Sequence, residues 1–550
     1  MTKRSFPAEG VAVLLLVLAN GSTPRSSATT TSVIVQGKDT RELVALVEKV
    51  GGEVTHELDI IDAVAANLTR EQYESMAAST AVRRIEPNRA LLVAAKKGAP
   101  AATAQVNAAP SSAVALLGPG AADALGLTGR GVTVAVLDTG VRTWIELRND
   151  RAGDTRLLAQ YDAIAGREIS SISNSDGSGH GTHVAAIAVS SETSTYAGIA
   201  PDAGLVAVRA FGANGEGSYA DVIRGLDWVV ANKDRLGIRV VNLSFSARAR
   251  SRYWEDPVNR AVMRAWQAGI VVVASAGNTG PDPMTIGVPG NVPYVITVGA
   301  MTDSYTPADP SDDRLTTFSA AGPTAERFVK PDVVAPGGHM TALMHSATAI
   351  AEAHREFHTQ GRYFTMSGTS QSAAVVTGTV ALMLEHEPAL TPDDVKCRLM
   401  AGAHPAVNSD GTLAYTVFQQ GAGLVNAHDA VFNSASGCAN PGMDIQRDLD
   451  GTEHYAGPVR KTEDGSYYIE GMDGSLWSGS VLWHDSFLWS DSMLWHDSFL
   501  WSDSMLWHDS FLWSDSVLWH DSFLWSDSML WHDSFLWSDS IAINVWVAEE

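Results

Sequence analysis

From Gly131 onward, short unbroken apolar runs alternate with longer stretches in which apolar residues recur every three or four positions. The runs Val132 to Leu137, Leu205 to Val208, Val240 to Leu243, Ile270 to Ala274 and Tyr294 to Val298 are short and have no polar face. They predict strands buried on both sides. Between them, Tyr219 to Leu236 and Pro257 to Ala268 repeat at helical spacing. Strand and helix in alternation predict an α/β fold, a doubly wound parallel sheet with right-handed crossovers. Such sheets bind ligands beyond the C-terminal ends of their strands, so chemistry is expected just after these runs.

A different rhythm precedes. Ser32 to Gln36 reads as a strand, Arg41 to Val50 as a helix, and Glu53 to Leu58 and Ala63 to Leu68 as strands. Thr69 with Gln72 three residues on is a capping box, opening a helix to Ala78 before a last strand, Val82 to Glu86. This βαββαβ order predicts a ferredoxin-like α+β unit over residues 32–93. A linker rich in Ala, Pro, Gly and Ser, 94–117, separates it from the α/β unit, 118–435. A polar linker is expected over 436–473, and a repeat tail over 474–540.

The tail consists of ten copies of Ser-[Phe/Met/Val]-Leu-Trp-[His/Ser]-Asp over residues 480–539, after a degenerate copy at 474–479. Each unit presents the same side chains, so stacked units bury a continuous apolar ridge, and a β-solenoid or stacked ribbon is the expected form. Its regularly spaced tryptophans also suit contact with a polysaccharide or cell surface, although a structural stack is the simpler use. At the other end, Lys3 and Arg4 precede the apolar run Val11 to Ala19, and Ser26-Ser27-Ala28 follows as a small-residue cleavage candidate. That layout predicts a secretory signal over 1–28 and an extracellular protein; the run falls well short of the roughly 20 residues that a spanning helix needs.

Composition narrows the partners. The chain has 550 residues, 45% hydrophobic, with a formal charge of −24, enough core for one large unit and smaller ones. That charge disfavours a nucleic-acid partner, which needs clustered Lys and Arg, and none is expected. The two cysteines, Cys397 and Cys438, either pair in an oxidising compartment or stay as two thiols.

Gly368-Thr369-Ser370-Gln371-Ser372-Ala373-Ala374 runs into Val375, Val376, Val380, Ala381 and Leu384 at helical spacing. Ser370 is therefore either a nucleophile at a helix N-terminus, where main-chain N–H groups stabilise an oxyanion, or merely a capping residue. Asp138 ends the first strand, in Val136-Leu137-Asp138-Thr139-Gly140, and His180 opens Gly179-His180-Gly181-Thr182-His183-Val184. A serine needs a base to take its proton, and an imidazole needs an acceptor to settle its tautomer; Ser370, His180 and Asp138 supply the three roles. Asn278, after the buried run ending at Ala274, can donate its amide to the oxyanion; the alternative is a turn residue before Gly280.

These four stretches resemble the subtilisin-like serine endopeptidases, the subtilase family. So do Asn242-Leu243-Ser244, Pro293 to Ala300, Phe318 to Pro323 and Lys330 to Gly337. The resemblance covers roughly residues 118 to 435 and implies a peptidase acting on protein or peptide substrates through an acyl-enzyme. Ser370 would attack, His180 shuttle the proton, Asp138 orient His180 and Asn278 stabilise the oxyanion. It also implies that the 32–93 unit is an inhibitory propeptide, a partner of its own enzyme until self-cleavage between Ala94 and Ala109. Where the family usually has Met-Ala-Ala-Pro-His after the nucleophile, this chain has Gln371 to Val375, and Ser246 stands where Gly is common. Ser190 to Tyr196 lacks the residues of the family's calcium loop, so the sequence does not support a structural calcium site and none is carried over; no cofactor is expected, and His183 reads as packing rather than as a metal ligand. A rival of another class is a catalytically silent subtilase scaffold that displays the aromatic tail as an adhesive module.

Overall fold

A computed structural model describes residues 29–92, 126–193, 196–306, 310–359, 361–463 and 465–469, together with the strand pairs 493–494 and 541–542. The expected signal, the 94–117 linker and almost all of the repeat tail lie outside the described residues.

The N-terminal unit runs β1 (Thr31–Gly37), α1 (Thr40–Lys49), β2 (Glu53–Leu58), β3 (Ala63–Leu68), α2 (Arg70–Ala77) and β4 (Val82–Pro87). Its strands form an antiparallel sheet in the order β2-β3-β1-β4. The Thr69–Gln72 capping box forms as expected and starts α2. Alternation along the strands divides the side chains between two cores. Val33, Val35, Val64 and Ala66 pack with Leu43, Val47 and Met76 of the helices, whereas Ile34, Ala63 and Ala65 join the core of the α/β unit. β5 (Ala90–Leu92) then pairs antiparallel with β10 (Glu216–Ser218) on the large unit.

The sheet of the large unit has nine strands. The path runs β14 (Arg314–Leu315), β13 (Ile296–Thr302), β12 (Val271–Ser275), β11 (Ile238–Leu243), β6 (Thr133–Asp138), β9 (Gly204–Arg209), β7 (Leu157–Asp162) and β8 (Arg167–Ile169), with β15 (Val333–Pro336) beside β13. From β7 through β13 and on to β15 the pairs are parallel; only the short edge strands β8 and β14 are antiparallel. Five of these are the five apolar runs, with ends that shift by at most two residues except at β13, which ends four residues later. The parallel α/β sheet is therefore as expected, and it exists because each run is apolar on both faces.

The helices that position chemistry are α3 (His180–Val189), α4 (Tyr219–Leu236), α5 (Pro257–Gln267), α6 (Thr369–His386) and α7 (Pro392–Ala401). All of α3, and α6 as far as Leu384, is buried. They cross closely because Gly378 carries no side chain: a Cβ there would lie 2.9 Å from the Ala188 carbonyl oxygen.

Residues 436–473 differ from expectation. Their described part is no linker but a strap folded onto the large unit, with α8 (Ile445–Asp450), β17 (Tyr455–Ala456), β18 (Val459–Lys461) and β19 (Tyr467–Ile469). Cys397 and Cys438 are disulfide-bonded, with Cα atoms 5.2 Å apart, and pin its start. Closing a loop of this size contributes about 4 kcal/mol in the chain-entropy picture. Leu449, Tyr455, Val459 and Ile469 enter the main core, and Asp448, wholly buried, accepts from Tyr253 Oη at 2.6 Å, Tyr294 Oη at 3.0 Å and His454 Nδ1 at 2.7 Å. Apolar anchors placed singly among polar residues leave no periodic trace, so the sequence reads as linker. Among the described residues no helix is long and apolar enough to cross a membrane.

Candidate active site

Asp138 closes β6 and is 2% exposed; its Oδ1 accepts the Thr139 main-chain N–H at 2.7 Å and lies 2.6 Å from His180 Nδ1. His180 is the first residue of α3, after Gly179 in the left-handed region (φ 99°), and is wholly buried. A carboxylate at this distance holds the proton on Nδ1 and leaves Nε2 as the basic nitrogen.

Thr139 and Asp176 join the two loops. Asp176 Oδ1 accepts from Thr139 Oγ1 at 2.9 Å and from the Ser178 and Gly179 N–H groups at 3.0 and 2.7 Å. Its Oδ2 accepts from Thr182 N at 2.9 Å and Thr182 Oγ1 at 2.6 Å, while Gly181 N donates to Thr139 Oγ1 at 2.9 Å. Burial pushes the Asp176 carboxyl upward, against which these donors work. Gly181 is needed because a Cβ there would lie 2.2 Å from the Gly140 carbonyl oxygen.

Ser370 is the second residue of α6, whose cap is Gly368, so the simple capping role is excluded. Its hydroxyl donates to the Ser244 carbonyl oxygen at 2.9 Å, and Ser244 Oγ donates back to the Ser370 carbonyl at 3.1 Å. Ser244 is steadied in turn by Asn242 Nδ2 at 2.7 Å, and Asn242 Oδ1 accepts from Thr377 Oγ1, two turns along α6, at 2.9 Å. Asn278 Oδ1 accepts from Thr369 N at 3.0 Å and Thr369 Oγ1 at 2.8 Å. This contact to the start of α6 decides which end of the amide faces the helix, leaving the NH₂ on the other side. Gly277 N donates to Thr369 Oγ1 at 3.2 Å, tying the Asn278 loop to the same turn.

Of the four residues singled out in the sequence, the structure thus joins Asp138 to His180 directly and ties Asn278 to the residue before Ser370. His183 is buried; its Nε2 meets the Phe364 carbonyl at 3.0 Å, and burial drives its pKa down to about 3, so it is a neutral packing residue. Among the described residues no cluster of three or more His, Cys, Asp or Glu side chains is arranged to hold a metal ion. Sequence reasoning missed Asp176, Thr139 and Thr369 as supports. The position of Asp176 four residues before His180 was the one visible signal, and a lone Asp in a Gly/Ser loop usually reads as a turn residue.

A serine in the first turn of a buried helix and an Asp–His pair at a parallel strand end are the groups that a serine-nucleophile hydrolase requires. The comparisons agree. The Subtilase family model matches residues 129–423. The chain is 38% identical over 313 residues to serine protease AprX of Bacillus subtilis (strain 168), covering 56% of this chain and 67% of that protein. It is 30% identical over 397 residues to an alkaline protease of Alkalihalobacillus alcalophilus, covering 72% of this chain and 86% of that one. Among solved structures, fervidolysin of Fervidobacterium pennivorans, a keratinolytic enzyme related to subtilisin, superposes with a TM-score of 0.57 at 24% identity. That match covers 74% of this chain and 62% of that one, and it bears on the fold alone. The chain belongs to the subtilase family, whose members are serine endopeptidase hydrolases.

Proposed function

We propose that the chain is an exported serine endopeptidase made as a self-processing zymogen, with Ser370 as nucleophile, His180 as general base and acid, Asp138 as orienting carboxylate and Asn278 as oxyanion donor. The observation that carries this reading is the 2.6 Å contact between His180 Nδ1 and Asp138 Oδ1, buried together at the strand ends. With that proton held, Nε2 takes the Ser370 proton as Oγ bonds to the substrate carbonyl carbon. The negative oxygen of the tetrahedral intermediate then faces the Ser370 main-chain N–H and the Asn278 amide. Collapse of the intermediate expels the amine, which takes the proton from Nε2. Water, activated by the same nitrogen, then releases the acyl group.

The N-terminal unit supports the zymogen part. Its strand order β2-β3-β1-β4, with both helices packed on one face, fits the ferredoxin-like reading, and the other face is buried in the core of the large unit. Its last contacts reach the start of α4: Tyr219 N donates to the Arg89 carbonyl at 3.0 Å and Ala220 N to Asn88 Oδ1 at 3.0 Å. These N–H groups otherwise face water, so docking satisfies a helix end while β5 occupies the edge at β10. Export rests on the charged, then apolar, then small-residue order of residues 1–28. Protein or peptide substrates follow from the family, and contact of the tail with a cell surface or polysaccharide remains part of the proposal.

A fluorophosphonate probe tests it. Purified full chain should label covalently, label should vanish in Ser370→Ala, and processing between Ala94 and Ala109 should vanish with it. Absence of labelling in folded wild-type protein would favour the silent scaffold instead.

A further inference from the structure

We propose that the buried Asp303–His339 pair is a positioning device for the nucleophile, acting on the start of α6 through Ser367; this rests on Ser370 being the nucleophile. Asp303 follows the last residue of β13, and His339 precedes β16 (Met340–Leu343). Their side chains are 1% and 2% exposed, with Asp303 Oδ1 2.6 Å from His339 Nε2. Taking such a pair out of water offsets most of the attraction between its members, so net stabilisation is a poor reason for its presence.

Two independent observations point towards the site. The first is strain. Ser304 (φ 49°), Tyr305 (φ 67°) and His339 (φ 34°) all lie in the left-handed region that non-glycine residues rarely adopt. Such residues persist only where their surroundings force them, and they gather at functional sites. Here the forcing contacts are visible: Asp303 Oδ1 accepts from Tyr305 N at 3.2 Å, and the Tyr305 ring stacks on the imidazole with centroids 3.7 Å apart, covering it from solvent. On the other side, Thr302 Oγ1 lies 3.4 Å from His339 Nδ1.

The second is connectivity. His339 N donates to Ser367 Oγ at 2.7 Å, and Ser367 immediately precedes Gly368, the cap of α6. Gly368 N donates to the Gly337 carbonyl at 2.9 Å, and Gly337 N and Gly338 N both donate to the Met301 carbonyl, at 2.9 and 3.0 Å. Beyond the nucleophile, Ser372 Oγ donates to the Ala335 carbonyl at 3.0 Å. The first turn of α6 therefore hangs on segment 335–339, and that segment is held to the end of β13 by the β13–β15 ladder at Ala335 and Pro336, by the Gly337 and Gly338 bonds beyond it, and at its far end by the Asp303–His339 pair. Without the pair, His339 relaxes towards an ordinary φ, its N–H leaves Ser367, and the turn that aims Ser370 loses one of its anchors.

The test compares Asp303→Asn and Ser367→Ala with wild type in the full chain, with active sites counted by diisopropyl fluorophosphate. Misplacing a nucleophile by a fraction of an ångström lowers every step that it performs, so kcat per active site and the second-order inactivation rate by the fluorophosphate should fall together, roughly tenfold. KM should stay within about twofold, since both side chains are buried, Asp303 1% and Ser367 3% exposed, and so do not meet substrate. Wild-type rates per counted site in both variants, with only a lower melting temperature, would reduce the pair to a folding staple and overturn the proposal. If Asp303→Asn does not fold, Ser367→Ala decides alone, because it leaves the pair in place. Wild type that takes no label would overturn the nucleophile assignment itself, a different outcome from labelled variants with unchanged rates.

Discussion

At the scale of single residues, the role proposed for the Asp138–His180 contact turns on one proton. Asp138→Asn keeps the shape but offers an NH₂ or a weaker acceptor to Nδ1. The favoured arrangement then puts the imidazole proton on Nε2, where the proposed base needs a lone pair. The expected result is a fall of roughly 10⁴ in kcat with KM little changed. Steady-state kinetics on site-titrated enzyme would check it, and a loss of less than tenfold would refute the assigned role. The candidates were legible because the proposed nucleophile, base and acceptor each stand in a distinctive local frame: Asp138 at a strand mouth, His180 and Ser370 at helix starts. Asp176 and Thr369 were not, because an Asp with five donors around it and a Thr bonded to an Asn 91 positions away look like any loop residue until the chain folds.

At the scale of elements, hydrophobic periodicity located the β6, β9, β11, β12 and β13 strands and predicted α4 with the bounds it has, Tyr219–Leu236. The capping box of α2 likewise formed where Thr69 and Gln72 required it. The strap over 436–469 escaped because its hold on the large unit is a set of separate anchors. The central one is Asp448 beneath Tyr253, and the Tyr253 hydroxyl also accepts from Tyr455 N at 3.3 Å. Tyr253→Phe removes a donor from a buried carboxylate and an acceptor from a buried N–H. A loss of about 1–3 kcal/mol is expected, read as a lower midpoint in urea or a lower melting temperature. Unchanged stability would mean that the strap contributes little to the folded state.

At the scale of the whole molecule, the N-terminal unit and the α/β unit share a core, and their junction contains an acid pair. Asp227 on α4 accepts from Asp59 N at 3.1 Å; burial, and then the charge of Asp59, push its carboxyl up to about 6. Once the units separate, water returns and the ordinary value of 3.8 applies. The docked state therefore holds the extra proton between these two values. Docking should be tightest near pH 4, weaken as pH rises towards 6, and stay level above that, by up to roughly a hundredfold for two pKa units. Binding of the separately expressed unit to processed enzyme, followed across pH, would check this. Asp227→Asn should flatten the dependence and strengthen docking at pH 7, and an unchanged slope would show that Asp227 is not its source.

The order of residues alone determined the main strands and helices of the two units and where the proposed catalytic side chains stand relative to them. Those outcomes depend on neighbours within a turn or a strand, and periodicity records them. Tertiary structure decided the rest: the imidazole 42 positions from its carboxylate, the Ser244 carbonyl 126 positions from the Ser370 hydroxyl, and Asp448 195 positions from Tyr253. Contacts between residues so far apart exist only after the sheet has twisted and the helices have packed. A sequence carries the groups that make them, but not the choice of partner.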